Sequence, residues 1–82
     1  MNIYVGNLPY SATQDDLTNL FGEFGQVSSV KVVTDKFSGK SRGYAFVEMS
    51  ENSSGSNAIA KLNGQEFKGR ELRVSEAKPR EN

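Results

Sequence analysis

Residues 42–49 read Arg-Gly-Tyr-Ala-Phe-Val-Glu-Met, an alternation of two kinds of side chain. In an extended strand successive side chains point to opposite faces. Gly43, Ala45, Val47 and Met49 then share one side, and Arg42, Tyr44, Phe46 and Glu48 the other. The first set is small and apolar and belongs against a core. The second leaves two rings and a guanidinium in water. A sheet built on such a strand has one covered face and one open face, and packing gives no reason for rings on the open one. Flat ligands do: bases stack on aromatic rings, and Arg42 stands where it would meet a phosphate.

Residues 3–8, Ile-Tyr-Val-Gly-Asn-Leu, repeat the arrangement, with Ile3 and Val5 inward and Tyr4 outward as a third exposed ring. Together the two segments, roughly 40 residues apart, resemble the paired signature motifs of the RNA recognition motif family. Arg42 to Val47 match the family octapeptide in order, and Met49 stands where that motif usually has an aromatic. By alternation Met49 faces the core, where a flexible apolar side chain fills the space of a ring. The resemblance covers nearly the whole chain and is strongest to the short, one-domain bacterial members. It implies a single domain over residues 1–80 followed by a tail at 81–82.

Eighty-two residues are enough for one modest core. A chain of this size buries only about 60% of its unfolded surface, so stability is expected to be marginal. With neither cysteine nor histidine, there is no disulfide framework, no thiolate metal site, no imidazole ligand and no histidine base. No apolar run reaches transmembrane length, and Met1 leads directly into strand residues. The expected setting is cytoplasmic, and the expected state a monomer without metal, cofactor or membrane contact. Formal net charge is zero, so position matters more than total. Lys31, Lys36, Lys40 and Arg42 gather around the middle hairpin, with Arg73, Lys78 and Arg80 near the end. Asp15, Asp16 and Glu23 belong to the first helix, and Glu51 opens the second.

Residues 2–6 form the first strand. Thr13 followed by Asp16 is a capping box with the shorter acid, and Leu17, Leu20, Phe21 and Phe24 recur at helical spacing as core. Gly22 sits in that helix at some cost, and Gly25 is a natural stop. Val27 to Val33 is the second strand, with Val30 and Val32 inward and Lys31 and Val33 outward. Residues 34–41 are a loop whose tip, Phe37, either packs over the hairpin, the preferred reading, or stacks on a base. Ser50 or Asn52 is expected to cap a second helix. The run Asn52 to Asn57 is poor in helix formers, so a frayed start and a firm half on Ala58, Ile59 and Leu62 are expected. Phe67 to Arg70 turns into the last strand, with Leu72 and Val74 inward and Arg73 and Ser75 outward.

The order β-α-β-β-α-β predicts an α+β, ferredoxin-like sandwich: a four-stranded antiparallel sheet with two helices on one face. The resemblance adds that the first and third strands lie side by side, bringing Tyr4, Tyr44 and Phe46 onto one platform. On the family pattern Tyr4 and Tyr44 each stack on a base, Phe46 packs against a sugar or between bases, and Arg42 pairs with the phosphate. Asn2, Lys31, Glu48, Arg73 and Lys78 are rim candidates for base discrimination. The implied partner is single-stranded RNA, with single-stranded DNA as the alternative, in post-transcriptional regulation or RNA chaperoning. Two other classes compete. An acylphosphatase-like hydrolase needs an arginine in a phosphate loop after the first strand, and residues 7–12 contain none. A protein-interaction module would use the same face, but relatives of that kind lose the exposed rings that this chain keeps.

Overall fold

A computed structural model describes residues 1–77 of the chain; Lys78 and Arg80, two of the basic positions named above, lie outside the described residues. Strand β1 runs Asn2–Gly6, helix α1 Gln14–Gly22, β2 Val27–Thr34, β3 Ser41–Met49 and helix α2 Asn52–Leu62. A two-residue hairpin, β4 Glu66–Phe67 and β5 Arg70–Glu71, precedes the last strand, β6 Arg73–Glu76. The main sheet has the order β2-β3-β1-β6, with antiparallel pairing throughout. The expected sandwich is therefore observed, with one element added.

Alternation explains the covered face. Ile3 and Val5, Val30, Ala45, Val47 and Met49, and Val74 all point to one side and are buried. Leu17 and Phe21 from α1 and Ala58 and Leu62 from α2 close over them. Leu20, Phe24, Val27, Val32 and Ile59 are half-buried at the margin of the same cluster. The capping box forms as its residues require: the Asp16 amide donates to Thr13 Oγ1 at 3.1 Å, and the Thr13 amide donates to Asp16 Oδ2 at 2.9 Å.

Helix α2 differs from expectation. It is regular from Asn52, its N-cap is Glu51, and no side chain caps it. Ser50 is used elsewhere, its hydroxyl 2.8 Å from that of Ser28. Packing outweighs propensity at this end, because Ser54 and Gly55 are buried and must be small. A Cβ on Gly55 would lie 3.2 Å from the Met1 Cβ and closer still to its sulfur, and a Cβ on Gly25 would lie 2.7 Å from the Ser54 Cβ. The residues that weaken the helix locally are those that let β1 and the α1–β2 turn approach it.

The β4–β5 hairpin turns on Lys68 and Gly69, both with positive φ (50° and 87°), the conformation of a tight two-residue reversal. Three contacts fasten it. Lys68 Nζ lies 2.8 Å from Asp16 Oδ2 of α1. Asn7, itself left-handed at φ 59°, donates from Nδ2 to the Glu71 carbonyl at 2.6 Å and accepts from Arg70 Nη2 at 2.8 Å.

Candidate nucleic-acid interface

The register sets the open face out in rows. Across β1 and β3 Tyr4 faces Phe46, Gly6 faces Tyr44 and Asn2 faces Glu48. On the far side of β3, Lys31 pairs with Phe46 and Ser29 with Glu48. On the far side of β1, Ser75 pairs with Tyr4 and Arg73 with Gly6. The middle row is thus Ser75, Tyr4, Phe46, Lys31, and the row above it Arg73, Gly6, Tyr44. Cations stand at both margins of a central aromatic patch.

The three rings form a nearly equilateral triangle, with centroids 6.1 Å apart for Tyr4–Tyr44, 6.0 Å for Tyr4–Phe46 and 6.1 Å for Tyr44–Phe46. Phe46 meets both tyrosines edge to face, at 60° and 87°, whereas the two tyrosines are tilted by only 33°. The two edge-to-face contacts are favourable arrangements for ring quadrupoles. Phe46 is 38% exposed, and Tyr4 and Tyr44 are half-buried by each other and the sheet.

Two glycines make the patch possible. Gly6 is buried because the Tyr4 ring lies over it, and a Cβ there would fall 2.8 Å from Tyr4 Cε1 and Cζ. Gly43 has φ +87°, where an L side chain is strained, and its carbonyl accepts from the Leu8 amide at 2.9 Å. The simple alternation of the octapeptide breaks here. Between the Val32–Ala45 and Thr34–Ser41 pairs β3 takes four steps to two on β2, so β3 bulges at its start. Arg42 still reaches the platform, lining one groove with Tyr4, Tyr44 and Arg70. Asn2 and Lys31 line a second groove with Phe46 and Ala77 at the opposite end, ≈ 320 Å³ in volume.

The structure therefore brings Tyr4, Tyr44, Phe46, Arg42, Asn2, Lys31 and Arg73 to one face. It does not pack Phe37, which is 99% exposed at the tip of the β2–β3 turn, so the preferred packing reading fails. Sequence reasoning missed Gly6, whose role is the space it leaves, and Tyr10, 74% exposed on the β1–α1 loop. Gly6 does stand in the hexapeptide, directly opposite Tyr44 in register. Two carboxylates shape the surroundings. Asp35 is held below the usual carboxylate value by the Phe37 and then the Ser38 amides, and Asp16 by Lys68 and then the Thr13 amide. Among the described residues no cluster of three or more metal-ligating side chains occurs.

A four-stranded antiparallel sheet with two covering helices and a bare aromatic face defines a small class of nucleic-acid-binding domains. The sequence profile of the RNA recognition motif matches residues 3–73, and this chain belongs to that family. It is similar to RbpE of the cyanobacterium Nostoc sp. (strain PCC 7120), by its name an RNA-binding protein, at 52% identity over 99% of this chain and 82% of that one. The crystal structure of RNA binding protein PG1 superposes with a TM-score of 0.94 at 49% identity, covering 100% of this chain and 99% of the other. The RNA15 domain solved with bound RNA (GU) superposes with a TM-score of 0.86 at 31% identity, over 95% of this chain and 83% of that one.

Proposed function

We propose that the chain is a non-enzymatic binder of single-stranded RNA that holds its ligand on the open face of the sheet. The observation that carries this reading is the triangle of Tyr4, Tyr44 and Phe46 between Lys31 and Arg73, with Arg42 at its edge. Unpaired bases splay out and stack on such rings, which a duplex cannot do. Tyr4 and Tyr44 take one base each, Phe46 takes the sugar between them, and Arg42 takes a phosphate. Asn2, Lys31 and Arg73 form the rim that discriminates among bases. The names of the relatives and the RNA-bound neighbour support the ligand class. Two stacks at about 1–3 kcal/mol each, with one charge contact, give micromolar affinity at best. That strength suits a monomer acting in the cytoplasm on many transcripts, as a regulator or a chaperone of RNA structure.

An amide-shift titration of the labelled protein with a randomised pool of short single-stranded RNAs tests the proposal. Shifts concentrated at Tyr4, Arg42, Tyr44 and Phe46 are expected. A silent sheet at low salt would overturn it, and a parallel titration with the DNA pool decides between the two nucleic acids.

A further inference from the structure

Helix α2 is joined to the last strand by a short seam. The Gly64 amide donates to the Leu72 carbonyl at 2.8 Å, and the Leu72 amide to the Gln65 carbonyl at 2.9 Å. The Val74 amide donates to Asn63 Oδ1 at 3.1 Å. The fold fixes both residues of the Asn63-Gly64 dipeptide. Gly64 has φ +86°, where an L side chain is strained. Asn63 ends α2, and its side chain supplies the acceptor for a part-buried amide of β6.

No other asparagine of the chain precedes a glycine. Glycine has no side chain to shield its nitrogen, so that nitrogen can attack the Cγ of the asparagine before it. The Gly64 N–Cγ bond forms, the Cγ–Nδ2 bond breaks, and ammonia leaves with the Gly64 amide proton. Water then opens the succinimide at either carbonyl, giving aspartate or isoaspartate. In the fold both reacting groups are engaged: the Leu72 carbonyl holds the Gly64 N–H, and the Val74 amide holds Asn63 Oδ1. Attack therefore requires the seam to open. Asn63 and Gly64 are exposed, so water reaches the product.

We propose that Asn63 is a deamidation site gated by this seam, and that the isoaspartyl product holds the seam open. Isoaspartate routes the backbone through the former side chain and adds one atom between residues 63 and 64. The bonds to Leu72 and Val74 then lose their common register. Aspartate keeps an oxygen for the Val74 amide and lets the seam re-form. The reaction records irreversibly that a molecule has opened here, and it does so independently of any ligand on the sheet.

The test follows deamidation of the wild-type protein at mildly alkaline pH by peptide mapping, which separates asparagine, aspartate and isoaspartate at residue 63. In denaturing urea Asn63 is expected to react faster than any other asparagine. In buffer it is expected to react at least about tenfold more slowly than in that urea, because only the open fraction reacts. Urea added below the unfolding midpoint is expected to raise the rate. Equal rates in buffer and in denaturing urea would overturn the gate, and no preference for Asn63 in urea would overturn the site. The product is tested by melting: Asn63→Asp should match wild type, and the isolated isoaspartyl fraction should melt clearly lower. An isoaspartyl fraction as stable as Asn63→Asp would overturn the opened seam.

Discussion

The Tyr4 ring occupies the place where a side chain at Gly6 would be: a Cβ on Gly6 would stand 2.8 Å from two ring carbons of Tyr4. Tyr4 and Gly6 are two apart on β1, on the same face, and opposite Phe46 and Tyr44 respectively. Without a side chain at residue 6, Tyr4 is free to lean along its own strand towards Tyr44.

Gly6→Ala tests that dependence. The atoms it would strike belong to a half-exposed side chain, so the ring moves and the fold survives. RNA affinity is expected to fall about tenfold, in line with the loss of one stack, while the thermal midpoint changes little. Unaltered affinity would mean that the Tyr4 ring orientation is irrelevant to binding.

Tyr44→Ala, which removes a base stack worth about 1–3 kcal/mol, and Phe46→Ala, which removes the ring against the sugar, should each lose most RNA affinity. Neither ring is fully buried, so far-ultraviolet circular dichroism should match wild type. A well-folded variant that binds normally would count decisively against the platform.

Salt dependence should be shallow. Arg42, with Lys31 and Arg73 at the margins, offers one to three phosphate contacts, which at about 0.7 released ions each give a slope no steeper than about −2 in log affinity against log salt. A much steeper slope, measured by titration at several salt concentrations, would assign binding to the basic chain end instead of the sheet.

Gly22 closes α1 with no positive φ, and a Cβ added there would meet nothing within 4 Å. Gly22→Ala should therefore stabilise by about 0.4–1 kcal/mol, mainly by restricting the unfolded chain. For a domain of this length that corresponds to about 2–8 °C in the thermal midpoint. A lower midpoint would indicate that helix-end flexibility has a structural use.

Acid should destabilise in a narrow window. Asp16 and Asp35 both have carboxyls held below the ordinary value of 3.8, by Lys68 and by the Phe37 amide first of all. A carboxyl depressed in the folded state adds stability above its unfolded value and loses it as pH falls through the folded one. Denaturant midpoints should fall as pH drops below about 4, and Asp16→Asn should lose less than wild type over that range. An identical acid response in Asp16→Asn would remove the Lys68 contact as a contributor.

Where the chain has a period, it was readable. Alternation in residues 2–6 and 42–49 gave the inward residues and the three rings, and the Thr13–Asp16 spacing gave the cap bonds seen. Elements too short for a period were not readable. Strands β4 and β5 have two residues each, and their only local mark is the Lys68-Gly69 turn. The start of α2 misled because its small residues answer to Met1 and Gly25, neighbours that propensity does not see. Tyr10 and Phe37 sit on irregular segments, where exposure depends on loop path and not on spacing.

The sheet order places β1 and β3 in its interior, each paired on both sides, and leaves β2 and β6 at the margins. The strands that display the rings are thus the ones whose backbones would be last to open and slowest to exchange their amide protons. On the proposed reading, an incoming strand would meet a sheet backbone already paired in its final order. The entropic burden of docking then falls on the nucleic acid, which must unstack and come to rest, so sequences that unstack easily should associate fastest.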